Sequence, residues 1–200
     1  VPRPTDHAKR HEIADRAFQL VLERGVQAIN MSQLARDLHM KRPTLYWYFP
    51  DLGSLFDTVV ENVEERLLER VVGAMRMETH PLDQLLALLE SVPAFYLEDR
   101  AVLDGLVQLW AVRPEPRPGL AQRIDMQRSM LTQLVQQGID EGRVHPCDAA
   151  ALVETVLTLV DGSVLRAVLV GSSPDQVIGF ARDHILEPLR VPTGDSPCAP

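Results

Sequence analysis

Cysteine is nearly missing from this chain. Cys147 and Cys198 stand far apart in 200 residues. That excludes a disulfide framework and any multi-cysteine metal spacing, and it suits a reducing compartment. Long apolar runs are missing too: no stretch approaches the ~20 uncharged residues that a bilayer-spanning helix needs. The first residues, VPRPTDHAKRHE, are polar and hold no apolar leader core. Aromatic residues make up only 5% and there are just two lysines, Lys9 and Lys41. What remains is an ordinary globular composition, 46% hydrophobic and 24% charged, with enough chain for one sizeable core or a small domain joined to a larger one.

The net charge of −8 argues naively against a nucleic-acid partner, but it is unevenly spread. Residues 1–60 sum to +1 and the remainder to −9, and both lysines lie in the first part. An acidic remainder repels a phosphate backbone and leaves the N-terminal segment as the natural contact.

The apolar spacing predicts helices throughout. Asp6 can cap a first helix to about Arg24, striped by Ile13, Ala14, Ala17, Phe18 and Val21 and ended at Gly25. Asp51 can cap a long fourth helix, with Leu55, Phe56, Val59, Val60, Val63, Leu67 and Val71 at a 3.6-residue period up to about Met77. Residues 82–98 are helical with Pro93 as a kink or restart, and 99–112 continue as a helix. RPEPRPG at 113–119 reads as a loop, and a long helix follows from about Leu120 to Glu141. Asp161-Gly162 lies between β-branched runs and is by itself a hairpin signal. The spacing of Ala149, Leu152, Val153, Val156, Val160, Val164 and Val168 favours one helix over 148–170, apolar around most of its circumference and therefore buried on two sides. A last helix is expected at 174–187, ended by Pro188. Residues 1–5 and the tail VPTGDSPCAP, 191–200, read as disordered.

One stretch differs in kind, NMSQLARDLHMKRPTLYWYF at 30–49. Asn30 can cap a short helix and Gln33 can return the bond in a capping box. Leu34, Ala35 and Leu38 fall on one face. After His39-Met40-Lys41 a second short helix begins, with Pro43 in its first turn. Leu45 and Phe49 face inward together, while Arg42, Pro43, Thr44, Tyr46 and Trp47 are left outward. Two short helices and a tight turn, the second showing cationic, hydroxyl and aromatic groups, make a helix-turn-helix that offers its second helix to a DNA groove. Arg42 can hold guanine O6 and N7 bidentately, worth ~1–3 kcal/mol of discrimination, or else remain a solvated arginine. Lys41 adds non-specific charge. The other reading of Tyr46 and Trp47 is packing against the next helix.

Catalytic patterns find little support. His7 and His11 have a helical metal spacing without a third ligand. His145-Pro146-Cys147 lies in a turn without partners, and no nucleophile elbow surrounds Ser163. No metal site or cofactor is expected, and the chain is not read as an enzyme. Phe95, Tyr96, Trp110, Met126 and Met130 sit on helices suited to enclosing an apolar cavity, though each also reads as ordinary core. Arg166 is a lone cation on an apolar helix, open to an anionic ligand, an acid across a dimer or a structural salt bridge.

With these residues in view, positions 10–62 resemble the N-terminal domain of the TetR family of bacterial transcriptional regulators. Ala17, Phe18, Gly25, Leu34, Ala35, Leu38, Thr44, Leu45, Tyr46, Tyr48, Phe49 and Leu55 carry the likeness, and Pro43-Thr44-Leu45-Tyr46-Trp47 is similar to the tetracycline repressors themselves. The resemblance implies an all-α fold of about nine helices: a three-helix helix-turn-helix domain over 1–50, a larger ligand-binding and dimerisation domain over 51–190, and the tail. It implies a cytoplasmic homodimeric repressor, paired through 148–170 and 174–187. Such a dimer binds a palindromic double-stranded operator and is released by a small-molecule effector. Asn30, Ser32 and Gln33 would lie at the start of the helix that crosses the backbone. Arg42, Pro43 and Tyr46 would face base edges, and Thr44, Trp47 and Tyr48 would contact phosphates. Two positions depart from the family. His39 stands where glycine is usual, in a turn whose left-handed backbone costs a non-glycine residue ~1–2 kcal/mol. Leu52 stands where a phosphate-contacting lysine is common. Both departures keep open an alternative, a ligand-binding or interaction protein with weakened operator binding.

Overall fold

The structure, a computed structural model, describes residues 6–112 and 120–192. The segment expected to be disordered at 1–5, the loop at 113–119 and residues 193–200 of the tail expected to be disordered over 191–200 lie outside the described residues; the first tail residue, Val191, is instead hydrogen-bonded to the Arg143 carbonyl. Among those described there are nine α-helices and no strand; the sole β-type pairing is an isolated antiparallel bridge between Val144 and Arg190. No helix among them is long and apolar enough to cross a membrane.

The chain forms two compact units, residues 1–68 with 99–117 and residues 69–98 with 118–200. The division departs from a linear boundary at residue 51, because the sixth helix joins the N-terminal unit and the fourth begins in one unit and ends in the other.

In the first unit, α1 (His7–Arg24) starts where Asp6 accepts from the Lys9 N–H at 3.1 Å and stops at Gly25, whose φ of 78° an L side chain rarely adopts. A 3-10 turn, Val26–Ala28, leads to α2 (Met31–Asp37) and α3 (Arg42–Tyr48). The long α4 (Leu52–Arg76) starts where Asp51 accepts from the Ser54 N–H at 2.7 Å. α6 (Arg100–Val112) packs on α1. The predicted stripe of α1, the Leu34–Ala35–Leu38 face, and Leu45 with Phe49 are all buried, as are Val102, Leu103, Leu106 and Leu109 of α6.

In the second unit, α5 (Pro81–Glu98) is central: α7 (Leu120–Asp140), α8 (Ala149–Val170) and α9 (Asp175–Ala181) all pack on it. Leu82, Leu85, Leu88 and Leu89 are its buried face, and Pro93 lies inside the helix. Gly138 lets α7 pass Pro81, where a Cβ would meet the proline ring at 2.8 Å. Asp148 caps α8, accepting from the Ala151 N–H at 3.0 Å, and the helix runs without a break through Asp161-Gly162. The expected last helix is shorter than 174–187. After Ala181 the backbone loosens into a π turn, Arg182–Leu186, then tightens into a 3-10 turn, Glu187–Leu189. Pro188 has no N–H to return to the carbonyl of His184. The chain then pairs its Val191 N–H with the Arg143 carbonyl at 3.0 Å, while Arg190 forms a forked ion pair with Asp83.

Candidate nucleic-acid interface

α2 is capped as expected at its start: Asn30 Oδ1 accepts from the Gln33 N–H at 2.9 Å. The reciprocal bond of the capping box is not made. The Gln33 side chain instead accepts from Arg36 and donates to Asp37 at 3.2 Å, because these neighbours one turn on offer it charged partners. The turn is a Schellman motif. The His39 N–H donates to the Arg36 carbonyl at 3.0 Å, and the Met40 N–H to the Ala35 carbonyl at 2.8 Å. That motif requires a left-handed residue at its centre, and His39 takes it with φ 54°, alone among the described non-glycine residues. The strain expected at this departure is therefore present in the backbone.

α3 is two turns long, so two anchors set its orientation. Leu45 and Phe49 are both fully buried. Arg10 of α1 lies over the Phe49 ring, 4.8 Å from its centre, and seals the end of the helix. With that face held down, Lys41, Arg42, Pro43, Thr44, Tyr46 and Trp47 are exposed, and Tyr46 and Trp47 each keep 47% of their surface. The two aromatics are thus not packed away against α4. Trp47 stands edge-on to the half-buried Tyr48, centres 4.6 Å apart, which stiffens the outward ring. The side chains of Lys41 and Arg42 make no ion pair or hydrogen bond among the described residues, and both are exposed. Their charge is available to an anion, unlike that of Arg24, which is paired to Asp37 at 2.7 Å. Asn30 is exposed and Ser32 and Gln33 are half-buried at the start of α2. Leu52 opens α4 and gives that end no cation.

The residues expected around a ligand are spread out. Trp110 lies in the first unit, 42% exposed. In the second, Phe95 and Tyr96 are half-buried and stacked edge-on at 5.2 Å, and Met126 and Met130 are exposed on α7. Arg166 is exposed on α8 and has no ion-pair partner among the described residues. An open cleft of about 560 Å³ lies between α5 and α9, floored by Ala94, Leu97 and Ile178 and rimmed by the Arg182–Glu90 ion pair. None of the six residues lines it.

Other titratable groups are structural. Among the described residues no cluster of three metal-ligating side chains occurs. Burial pushes the Cys147 thiol up, away from reactivity. His184 lies against Phe180, and Ser163 is buried with its hydroxyl unpartnered. Sequence reasoning missed Arg10, Thr58 and Asn62, which join α1 to α4 beneath the exposed helix. Their only sign was polar residues interrupting an apolar stripe.

A short, anchored, outward-facing second helix behind a Schellman turn defines a helix-turn-helix DNA-binding domain. Comparison with known families agrees. The profile "Bacterial regulatory proteins, tetR family" matches residues 13–59, and "BetI-type transcriptional repressor, C-terminal" matches residues 81–189, more than half of the chain. The protein belongs to the TetR family of DNA-binding transcriptional regulators, which are not enzymes. Among characterised proteins it is similar to the nucleoid occlusion factor SlmA of Haemophilus influenzae, 25% identical over 172 residues covering 84% of this chain and 78% of that protein. The SlmA of Vibrio vulnificus is 26% identical over 165 residues, covering 80% and 84%. Among solved structures, a TetR transcription regulator from Haloarcula marismortui has the same fold, with TM-score 0.74 at 19% identity over 92% of this chain and all of that one. AibR, solved with isovaleryl coenzyme A and operator DNA, aligns with TM-score 0.58 at 16% identity over 85% of this chain and 94% of that one.

Proposed function

We propose that the protein is a cytoplasmic repressor that binds a palindromic operator as a homodimer and leaves it when a small-molecule effector binds. The observation that carries this reading is the unsealed face of α3, where a free guanidinium, a hydroxyl and two half-exposed aromatic rings share a two-turn helix anchored from below. On this reading Arg42, Pro43 and Tyr46 read base edges, and Thr44, Trp47 and Tyr48 hold phosphates together with Asn30, Ser32, Gln33 and Lys41. The two copies of α3 must then sit ~34–36 Å apart, or a multiple, to meet one face of the duplex. Pairing through α8 and α9 is supported by Leu165, Leu169, Val170 and Phe180, large apolar side chains left exposed on these helices in the single chain. α8 was expected to be buried on two sides; α5 and α7 cover one, and a second copy covers the other.

Release needs an effector with a preference between states, on the order of 5 kcal/mol for a full switch. Phe95, Tyr96, Trp110, Met126, Met130 and Arg166 are the side chains assigned to it, and α4, which begins beside α3 and ends in the larger unit, is the lever. AibR, solved with both an acyl-coenzyme A and its operator, is a precedent for that pairing of partners.

The second reading, an interaction protein with weakened operator binding, draws on His39 and Leu52 and on the likeness to nucleoid occlusion factors. A gel shift at low salt on duplexes flanking the protein's own gene separates the two. The repressor reading expects one palindrome retarded by a dimer. Uniform weak binding with no preferred duplex favours the second.

A further inference from the structure

Polar side chains inside a helix–helix interface cost stability unless each is satisfied. α4 places two of them one turn apart among Leu55, Val59 and Val63: Thr58 is 1% exposed and Asn62 6%. Both are satisfied from α1. Thr58 Oγ1 accepts from Arg10 Nε at 3.2 Å and from its terminal nitrogen at 3.1 Å, and donates to the Ser54 carbonyl at 3.1 Å. Asn62 Nδ2 donates to the His11 carbonyl at 3.0 Å and to Asp15 Oδ1 at 2.7 Å. Asn62 Oδ1 lies 2.5 Å from His11 Nδ1, which therefore carries the ring hydrogen. The same Arg10 covers Phe49, the residue that closes α3.

Apolar side chains of similar shape repack when one helix slides on another. A three-bonded amide does not: an advance of one residue, about 1.5 Å along the axis, breaks all of its bonds together. We propose that Asn62, with Thr58, is a positioning residue that fixes the register of α4 on α1 and, through Arg10 and Phe49, the aim of α3 at DNA. Asn62 is buried and acts only through these neighbours. The inference rests on the reading that α3 enters the groove.

The test is Asn62→Leu in the full-length protein, with Thr58→Val beside it. In Asn62→Leu the partners left behind, Asp15 and His11, reach solvent, so unfolding should shift by no more than about 3 °C. Affinity for the duplex that wild type selects from a random library should fall about tenfold, and about threefold in Thr58→Val, which reads the same lock if the first variant does not fold. Wild-type affinity in both variants overturns the inference. So does a loss of affinity matched by an equal loss of stability, which makes Asn62 merely structural. A wild-type protein that selects no duplex overturns the operator reading itself, and this inference with it.

Discussion

Gly105 of α6 meets Phe18 of α1 so closely that a Cβ at position 105 would lie 2.7 Å from Phe18 Cε2, and 2.5 Å from Leu22 Cδ2. Helix propensity alone favours alanine over glycine by ~1 kcal/mol. Phe18 is buried and cannot swing away, so the clash wins. Gly105→Ala is expected to destabilise by about 1–2 kcal/mol, whereas Gly73→Ala, on α4 where a Cβ meets nothing within 4 Å, should stabilise by about 0.5–1 kcal/mol. Urea unfolding of the pair checks the opposite signs.

The turn before α3 holds His39 at φ 54°. Replacing it with glycine removes a strain of ~1–2 kcal/mol and adds a backbone entropy cost of ~0.5–1 kcal/mol. His39→Gly should therefore gain about 0.5–1 kcal/mol in chemical denaturation. If the side chain has no part in DNA contact, affinity stays unchanged.

Arg42→Ala should lose sequence preference, by about 1–3 kcal/mol between preferred and scrambled duplexes, while residual non-specific binding remains. Titrations at two salt concentrations separate the roles. A loss uniform across sequences, with a shallower salt slope, would make Arg42 a phosphate contact.

Partial desolvation on α8, and then the neighbouring Glu154, raise the Asp161 carboxyl from its ordinary value, although the residue keeps an exposed edge. A carboxyl raised in the folded state disfavours folding wherever it is ionised, and the penalty lifts as pH falls through its folded value. Asp161→Asn should therefore raise the unfolding temperature at neutral pH, with the gain shrinking as the pH is lowered towards the ordinary aspartate value of about 3.9. A gain that does not depend on pH would point to packing instead.

Much of this architecture was legible because apolar spacing is dense and caps are explicit. Asp6, Asn30 and Asp51 each cap a helix at its observed start. Asp161-Gly162 did not turn the chain, since Val156, Val160 and Ala167 keep a helical period across it and are buried. The outward set on α3 could be read because two anchors leave a two-turn helix no other orientation. The allegiance of α6 could not: sequence order says nothing about which helix it packs on, and Gly105 was its only trace. Thr58 and Asn62 were invisible for the reason that makes them useful, since a lone polar residue in an apolar stripe reads as an interruption until its partner is in place. The residues nominated for a ligand were the least legible, because Phe95, Met126 or Met130 shows the same spacing facing a core, a cavity or a second subunit.

The borrowing of residues 99–117 by the N-terminal unit has a practical edge for anyone wishing to excise the reading head. The backbone leaves that unit after Leu68 and returns to it for α6, Arg100–Val112, so no single scission liberates it. A fragment ending at residue 68 would present Phe18 and Leu22 bare to water where Gly105 had lain. An autonomous version needs both stretches spliced by a designed linker, and a protease that nicks the chain once should leave two pieces still clasped together.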